Sequence, residues 1–306
     1  MTLSVTFLGT SGAVPTVDRN PSSLHVRREG DAFLFDAGEG TQRQMMRYGT
    51  GFDVQAVFLS HVHGDHVLGL PGLVQTWDFN DRDYPLDVYA PRGTGGTVRD
   101  LVRAVGPTPS FRLDVHEVSP GETVLDREAY AVETFRTDHR TRSVGYALVE
   151  DERKGRFDRE RAEELGVPVG PQFSELHEGN PVELEDGTLV RPEQVVGDPR
   201  PGRTVVYTGD TRPTEATVVA AEGADLLVHD GTFADRDAER ARETGHSTAG
   251  EAGTVASRAD VRRLALTHVS SRYAGDASEL YDDAAGTFGG DVVVAHDGLT
   301  VDVPYP

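Results

Sequence analysis

The sequence predicts an α/β sandwich, two mixed sheets packed face to face with helices on their outer surfaces. Three observations carry that expectation. Short apolar runs such as Ala56-Val-Phe-Leu59 and Leu226-Leu-Val-His229 recur in both halves of the chain. Helix-like stretches lie between them, most clearly after residue 210. A cluster of ligand-type side chains, His61-Val-His-Gly-Asp-His66, follows directly on one apolar run, where a layered sheet places its sites. Periodicity alone would also fit other layered α/β folds.

The elements follow in order. Residues 3–8 alternate polar and apolar side chains and read as a strand, which Gly9-Thr-Ser-Gly12 breaks. Residues 15–23 are loop-like, and 24–28 and 32–35 form two strands joined by the Glu29-Gly30-Asp31 turn. A short helix is expected over 42–48 and a buried strand over 56–59. Further strands are expected over 87–90, 112–118, 129–134 and 144–149. The second half repeats the style, with strands at 204–208, 226–229, 263–267 and 292–295 and helices near 214–221, 247–257 and 277–287. Residues 150–203 differ, being rich in charge, Gly and Pro with scattered apolar residues. The segment is too long for an ordinary connection and reads as an arm inserted into one domain spanning 1–306.

The chain has 306 residues and carries 51 acidic residues against 30 basic, a formal net charge of −21. Lys154 is the single lysine; the other basic residues are arginines. Such acidity fits a surface adapted to concentrated salt, where the Debye length falls to about 3 Å at 1 M and self-repulsion is muted. It argues against long-range attraction of nucleic acid, which favours a basic face. With no Cys there is no disulfide framework, and any metal site must use His and carboxylates. No apolar run is long enough to span a bilayer. Residues 1–8 enter a strand pattern without a basic segment or cleavage site, so a cytoplasmic location is expected.

His61 and His63 are two apart and point the same way in an extended segment, and Asp65 and His66 follow across a glycine turn. A loop after a strand can aim all four into one pocket. Imidazole and carboxylate suit zinc, and also iron or manganese. One loop cannot complete two tetrahedral sites. His139, Asp210 and His268 each follow a strand-like run and are candidates to complete them. Any one of these alone reads better as a structural residue; their shared context raises the joint case.

The motif His61 to His66 resembles the HxHxDH signature of the metallo-β-lactamase superfamily, and His139, Asp210 and His268 match its later metal motifs in order. Within the superfamily the chain resembles the ribonuclease Z family of tRNA 3′-endonucleases, in its short form. The resemblance covers essentially the whole chain. Its marks are Phe7-Leu-Gly-Thr-Ser-Gly-Ala-Val-Pro-Thr16, Phe35-Asp-Ala-Gly-Glu-Gly-Thr41, Gly209-Asp-Thr-Arg-Pro213, His246-Ser-Thr248 and Leu266-Thr-His-Val-Ser-Ser-Arg-Tyr273.

The resemblance implies two zinc ions, one held by His61, His63, His139 and Asp210, the other by Asp65, His66, Asp210 and His268, with Asp210 bridging. It implies that Asp65 orients or deprotonates the attacking water and that His246 protonates the leaving 3′ oxygen. Ser247 or Thr248 would cap the helix that follows His246. The substrate implied is precursor tRNA, cut just after the discriminator base to leave a 3′-hydroxyl on the tRNA and a 5′-phosphate on the trailer. The arm would bind the tRNA through Arg153, Lys154, Arg156, Gly170 and Pro171, aided by Arg159 and Arg161, with Arg272 a further contact near the site. A homodimer is also implied.

Two departures stand out. Val17 occupies the lysine position of the family's Pro-x-Lys-x-Arg loop, so no role that depends on a lysine there carries over. His229-Asp-Gly-Thr232 replaces the family's His-Glu-Ala-Thr, and His229 is expected to support the ligands from behind. His25, His116 and His177 are expected to be structural or surface residues, and His296, which ends a strand, to be structural or to support the ligands from behind.

Two other classes compete. Another hydrolase on the same metal site, a general phosphodiesterase, a thioester hydrolase or a lactonase, would need neither the arm nor the His246 motif. A non-catalytic RNA-binding module would not need the full ligand set.

Overall fold

A computed structural model of the protein describes residues 2–104, 106 and 108–306. The chain divides into two compact units, Met1–Val149 with Arg203–Tyr305, and Glu150–Gly202.

The larger unit is built on fourteen strands in two seven-stranded sheets. The first sheet contains β1 (Leu3–Gly9), β2 (Ser23–Arg28), β3 (Asp31–Phe35), β4 (Ala56–Phe58), β5 (Leu86–Pro91) and β6 (Leu113–Val118). The second contains β7 (Thr123–Arg127), β8 (Tyr130–Arg136), β9 (Val144–Glu150), β10 (Thr204–Tyr207), β11 (Leu226–Asp230), β12 (Arg263–Thr267) and β13 (Asp291–Val294). Strand β14 (Thr300–Asp302) returns to the first sheet, whose order is β14-β1-β2-β3-β4-β5-β6. The second runs β13-β12-β11-β10-β9-β8-β7. Pairing is parallel from β3 to β6 and from β10 to β13, and antiparallel for β1–β2, β2–β3 and β9–β10.

Strand alternation explains the layers. Phe33, Phe35, Ala56 and Phe58 point inward to meet Val205, Tyr207, Leu226 and Val228 from the facing sheet. Their intervening neighbours point outward: Leu34 and Val57 join the cluster under the helices of one side, Val206 and Leu227 that of the other. A parallel strand covered on both faces therefore reads as a continuous apolar run. Helices Thr41–Tyr48, Leu70–Phe79 and Gly95–Arg103 lie over the first sheet, and Glu215–Ala220, Ala249–Arg258 and Ser278–Thr287 over the second. The result is the αββα arrangement expected from the sequence.

Several elements escape the sequence reading. Helix Leu70–Phe79 opens on Pro71-Gly72 and helix Gly95–Arg103 on Gly95-Gly96, residues that read as breakers. Proline is tolerated in a first helical turn, whose N–H groups have no intrahelical partner. Strand β7 is an edge with one buried residue, Leu125, so it lacks an apolar run. Helix Ala238–Thr244 and strand β14 also form without a strong apolar signal. Residues 64–67, expected as a turn, make a single helical turn that carries Asp65 and His66.

The smaller unit, expected as an arm with only scattered apolar residues, has a small core of its own. Ala162, Val167, Leu176, Val182, Val190 and Val195 are buried together. They come from helices Arg159–Glu164 and Pro171–Glu178, the hairpin Val182–Glu183 with Leu189–Val190, and the turns around them. Wide spacing in sequence hides this core from any window-based reading.

Candidate metal centre

The carboxyl ends of the parallel strands deliver the site. Asp36 follows β3, His61 follows β4 by three residues, Asp210 follows β10, Asp230 ends β11 and His268 follows β12. His139 lies on the loop from β8 to β9. One close approach and two left-handed residues make this possible. Gly209 (φ +58°) lies against Ser60, where an added Cβ would sit 2.4 Å from the serine Cβ. Asp36 (φ +58°) and His268 (φ +60°) hold left-handed backbone conformations, a cost of about 1–2 kcal/mol each for non-glycine residues that the surrounding contacts must offset.

Seven side chains converge in two groups that share Asp210. His61, His63, His139 and Asp210 form the first, and Asp65, His66, Asp210 and His268 the second. The Asp210 carboxylate divides between them. Its Oδ2 lies 3.6 Å from His61 Nε2 and 3.8 Å from His139 Nε2. Its Oδ1 lies 3.3 Å from both His66 Nε2 and His268 Nε2. Asp65 Oδ2 completes the second group at 3.5 Å from His66 and 3.2 Å from His268. A tetrahedral ion with bonds of about 2.0–2.1 Å has donor-to-donor edges of about 3.3–3.4 Å, and the second group matches that spacing. His66 Nε2 and Asp210 Oδ1 are moreover buried with no hydrogen-bond partner among the described residues. Buried polar atoms are rarely left so, and a cation between them would satisfy both.

The hydrogen bonds behind the ligands fix which ring nitrogen faces inward. Asp36 is fully buried and accepts from Ser60 N, Ser60 Oγ, His66 Nδ1 and Tyr207 Oη, each at 2.7 Å. Because Ser60 gives its one proton to Asp36, it accepts from His61 Nδ1 at 3.0 Å. Thr232 likewise donates to Asp230 at 2.6 Å and accepts from His268 Nδ1 at 2.9 Å. His139 Nδ1 donates to the Gly245 carbonyl at 2.8 Å. In His61, His66, His139 and His268 the Nε2 lone pair is thus left for a ligand, the arrangement usual for metal-binding histidine.

Burial, with the neighbouring His66, pushes His61 well below its ordinary pKa, and burial also lowers His63 and His139. These rings are neutral donors. Burial works against the charge of Asp65 and Asp210, yet the surrounding histidines hold both carboxyls well below the usual range. His66 runs the other way: burial disfavours its cation, but Asp210 and Asp36 raise it well above the ordinary value.

His246 stands beside this cluster. Its ring stacks on His268 at 4.9 Å and lies 5.1 Å from His139. Its Nδ1 donates to Asp230 Oδ2 at 2.8 Å. Burial lowers His246, but the Asp230 carboxylate outweighs it and lifts the ring to about 9. Thr248, not Ser247, caps helix Ala249–Arg258, with Glu251 closing a capping box; Ser247 Oγ bonds the Thr211 carbonyl.

Asp36 and Asp230 carry the support layer, and the sequence reading assigned neither a role. The expectation for His229 needs correcting. It is fully buried, its Nδ1 meets the Asp230 carbonyl, and its Nε2 has no partner among the described residues. The strand pleat explains this: neighbours on β11 point to opposite faces, so Asp230 faces the site in its place. The legible signal was a carboxylate closing an apolar strand, as in Phe33-Leu-Phe-Asp36 and Leu226-Leu-Val-His-Asp230.

The remaining candidates lie elsewhere. Arg272 is exposed in the turn Ser271–Tyr273. Arg153, Lys154, Arg156, Gly170 and Pro171 belong to the smaller unit, where Gly170 and Pro171 open helix Pro171–Glu178. Lys154, Arg156, Arg159 and Arg161 are exposed there, and the last two pair with Glu163 and Glu164. Val17 is fully exposed. His25 is buried in β2 and held neutral, lowered by burial to about 4. His116 pairs with Asp87 at 2.7 Å, and His177 Nε2 meets the Gly155 carbonyl. His296 is exposed.

Comparison with known proteins places this geometry in a family. Residues 17–268 match the family model described as the metallo-beta-lactamase superfamily. A ribonuclease Z of Halobacterium salinarum is 67% identical over 306 residues, covering 100% of this chain and 99% of that one. A ribonuclease Z of Methanosarcina acetivorans is 51% identical, covering 99% of each chain. The crystal structure of human tRNase Z, short form, superposes with a TM-score of 0.71 at 27% identity, covering 98% of this chain and 99% of that one.

Proposed function

This chain belongs to the metallo-β-lactamase superfamily and within it to the ribonuclease Z family, hydrolases by class; from that premise we propose that it is a zinc-dependent endoribonuclease that removes the 3′ trailer of precursor tRNA. The observation that carries the reading is the Asp210 carboxylate, with one oxygen facing each of two donor groups, beside a histidine held ready to donate a proton. The full-length relatives named ribonuclease Z supply the substrate class.

His61, His63, His139 and Asp210 would hold one zinc, and Asp65, His66, Asp210 and His268 the other; manganese or iron suits the same donors. Bound there, the two cations supply Lewis-acid charge that polarises the phosphodiester and lowers the pKa of the attacking water. Asp65, braced by the Ala13 N–H at 2.9 Å, orients that water and takes its proton. The water oxygen forms the new bond to phosphorus, and the bond to the 3′ oxygen of the discriminator nucleotide breaks. His246, kept protonated by Asp230, gives its proton to that oxygen. The products are a 3′-hydroxyl on the tRNA and a 5′-phosphate on the trailer.

The smaller unit serves in this proposal as the tRNA-binding arm, through Arg153, Lys154, Arg156 and the Gly170-Pro171 turn, with Arg272 of the larger unit assisting. The active form is a homodimer working in the cytoplasm. At molar salt, binding rests on short-range arginine–phosphate contacts, because long-range attraction is screened.

The test is 3′-end mapping. Purified protein in concentrated KCl with zinc is mixed with a trailer-bearing precursor tRNA, beside an Asp65→Ala control. A single cut after the discriminator base, absent in the control, is expected. No cut by folded, metal-loaded protein overturns the reading and moves the assignment to a small-molecule hydrolase.

A further inference from the structure

Beside the metal centre, a cleft of about 380 Å³ opens where β5 and β6 end and β9 begins. Arg92, Gly93, Ser119, Arg142, Ser143 and Val144 are among its walls, and among the described residues no acidic side chain lines it. In a chain with a net charge of −21, a cleft faced by two guanidinium groups, with Glu122 beside Arg92, is out of character.

Both arginines have a partner. Arg142 Nη1 donates to the Gly93 carbonyl at 3.1 Å. Gly93 has φ +85°, and a Cβ there would lie 1.9 Å from the same Nη1, so the guanidinium occupies the space that the missing side chain leaves. Arg92 Nη2 lies 3.7 Å from Glu122 Oε1, while the other oxygen of Glu122 accepts from Ser119 N. Seated in this way, Arg142 has already lost much of the rotamer freedom that binding would otherwise cost, and the remaining N–H groups of both arginines suit a phosphate fork.

The cleft has a definite direction from the reacting centre. Val144 N donates to the Ser60 carbonyl, next to His61, so one wall adjoins the first donor group. His246 is bonded to Asp230 at the tip of β11 and stacks on His268 after β12, and it also lies 5.1 Å from His139. From β11 the second sheet passes through β10 to β9, while the first passes from β4 to β5 and β6, at about 4.8 Å per strand. If His246 protonates the tRNA's 3′ oxygen, the tRNA lies at its end and the phosphate side of the broken bond points toward the cleft.

We propose that the Arg92–Arg142 cleft binds backbone phosphates of the trailer, holding the strand downstream of the cut. The inference rests on the endoribonuclease reading above.

The test compares metal-loaded wild type with the R92Q/R142Q double variant in concentrated KCl. The substrates are precursor tRNAs that differ only in the trailer, one nucleotide against several. Two charge-assisted contacts give the wild type a preference of about tenfold or more in kcat/KM for the longer trailer, and in the variant that ratio falls to near one. In parallel, a 5′-phosphorylated single-stranded oligoribonucleotide of the trailer sequence is titrated by fluorescence anisotropy. The variant is expected to bind it about tenfold more weakly, with a thermal melt like that of the wild type. A ratio unchanged in the variant, or equal affinity for the oligonucleotide, overturns the proposal. Cleavage of neither precursor by wild type would sink the endoribonuclease reading, while the oligonucleotide titration would still decide whether the cleft takes a nucleic-acid strand.

Discussion

The metal centre and the inserted unit present opposite solutions to the placing of charge. In the larger unit the buried aspartates among the described residues are Asp36, Asp210 and Asp230, and all three stand at one cluster, each engaged by several partners. In the smaller unit two ion pairs sit in water along one helix, Arg159 with Glu163 and Arg161 with Glu164. Exposed pairs of that kind contribute about 0–1 kcal/mol each and are screened by salt. A buried charged cluster is intolerant of losing any member, because the rest are left uncompensated. The contrast teaches where function tolerates change: substitutions at the cluster should act through metal and chemistry, and substitutions in the inserted unit through binding.

The largest effect is expected at Asp210, the residue common to both donor groups. Asp210→Asn removes a bridging charge and should lower kcat by at least about 10³-fold, with loss of bound metal measured by elemental analysis. Next comes His246→Ala, expected to cost about 10²–10⁴-fold in kcat while metal content holds; metal loss in parallel with activity would instead put His246 among the ligands. Asp36→Asn touches no proposed ion directly. It leaves the His66 ring and the Ser60 hydroxyl badly partnered, and a chelator competition should show a metal affinity about 10–100-fold weaker. The smallest effect is expected in the inserted unit. R153Q/K154Q/R156Q should raise KM for precursor tRNA by a few-fold to about tenfold with kcat held, the pattern of lost uniform binding. A fall in kcat there would erase the contrast between the two regions.

The cluster was legible in the sequence because its ligand types are rare together and follow apolar strands: His61, His63, Asp65, His66, His139, Asp210 and His268 all meet in space. The layered fold was legible from the same apolar runs. The support layer was not, because a lone acid such as Asp36 or Asp230 shows its role only when the partners from distant strands arrive. Pleat parity, which turns His229 away and Asp230 inward, depends on a register that one sequence leaves open. Helices opening on Pro71 and Gly95 stayed hidden because breaker residues are tolerated in a first turn, and the core of residues 150–202 because its apolar members are dispersed. The Arg92–Arg142 cleft needed the fold outright, since its walls come from three separate segments at strand ends.

The central claim is that two ions share Asp210 and that cleavage of precursor tRNA needs both. Metal-free protein titrated with zinc, with precursor cleavage scored at each step, tests it most directly. The rate should climb to a plateau at two equivalents per chain. Full activity with none, or a plateau at one, would contradict the account.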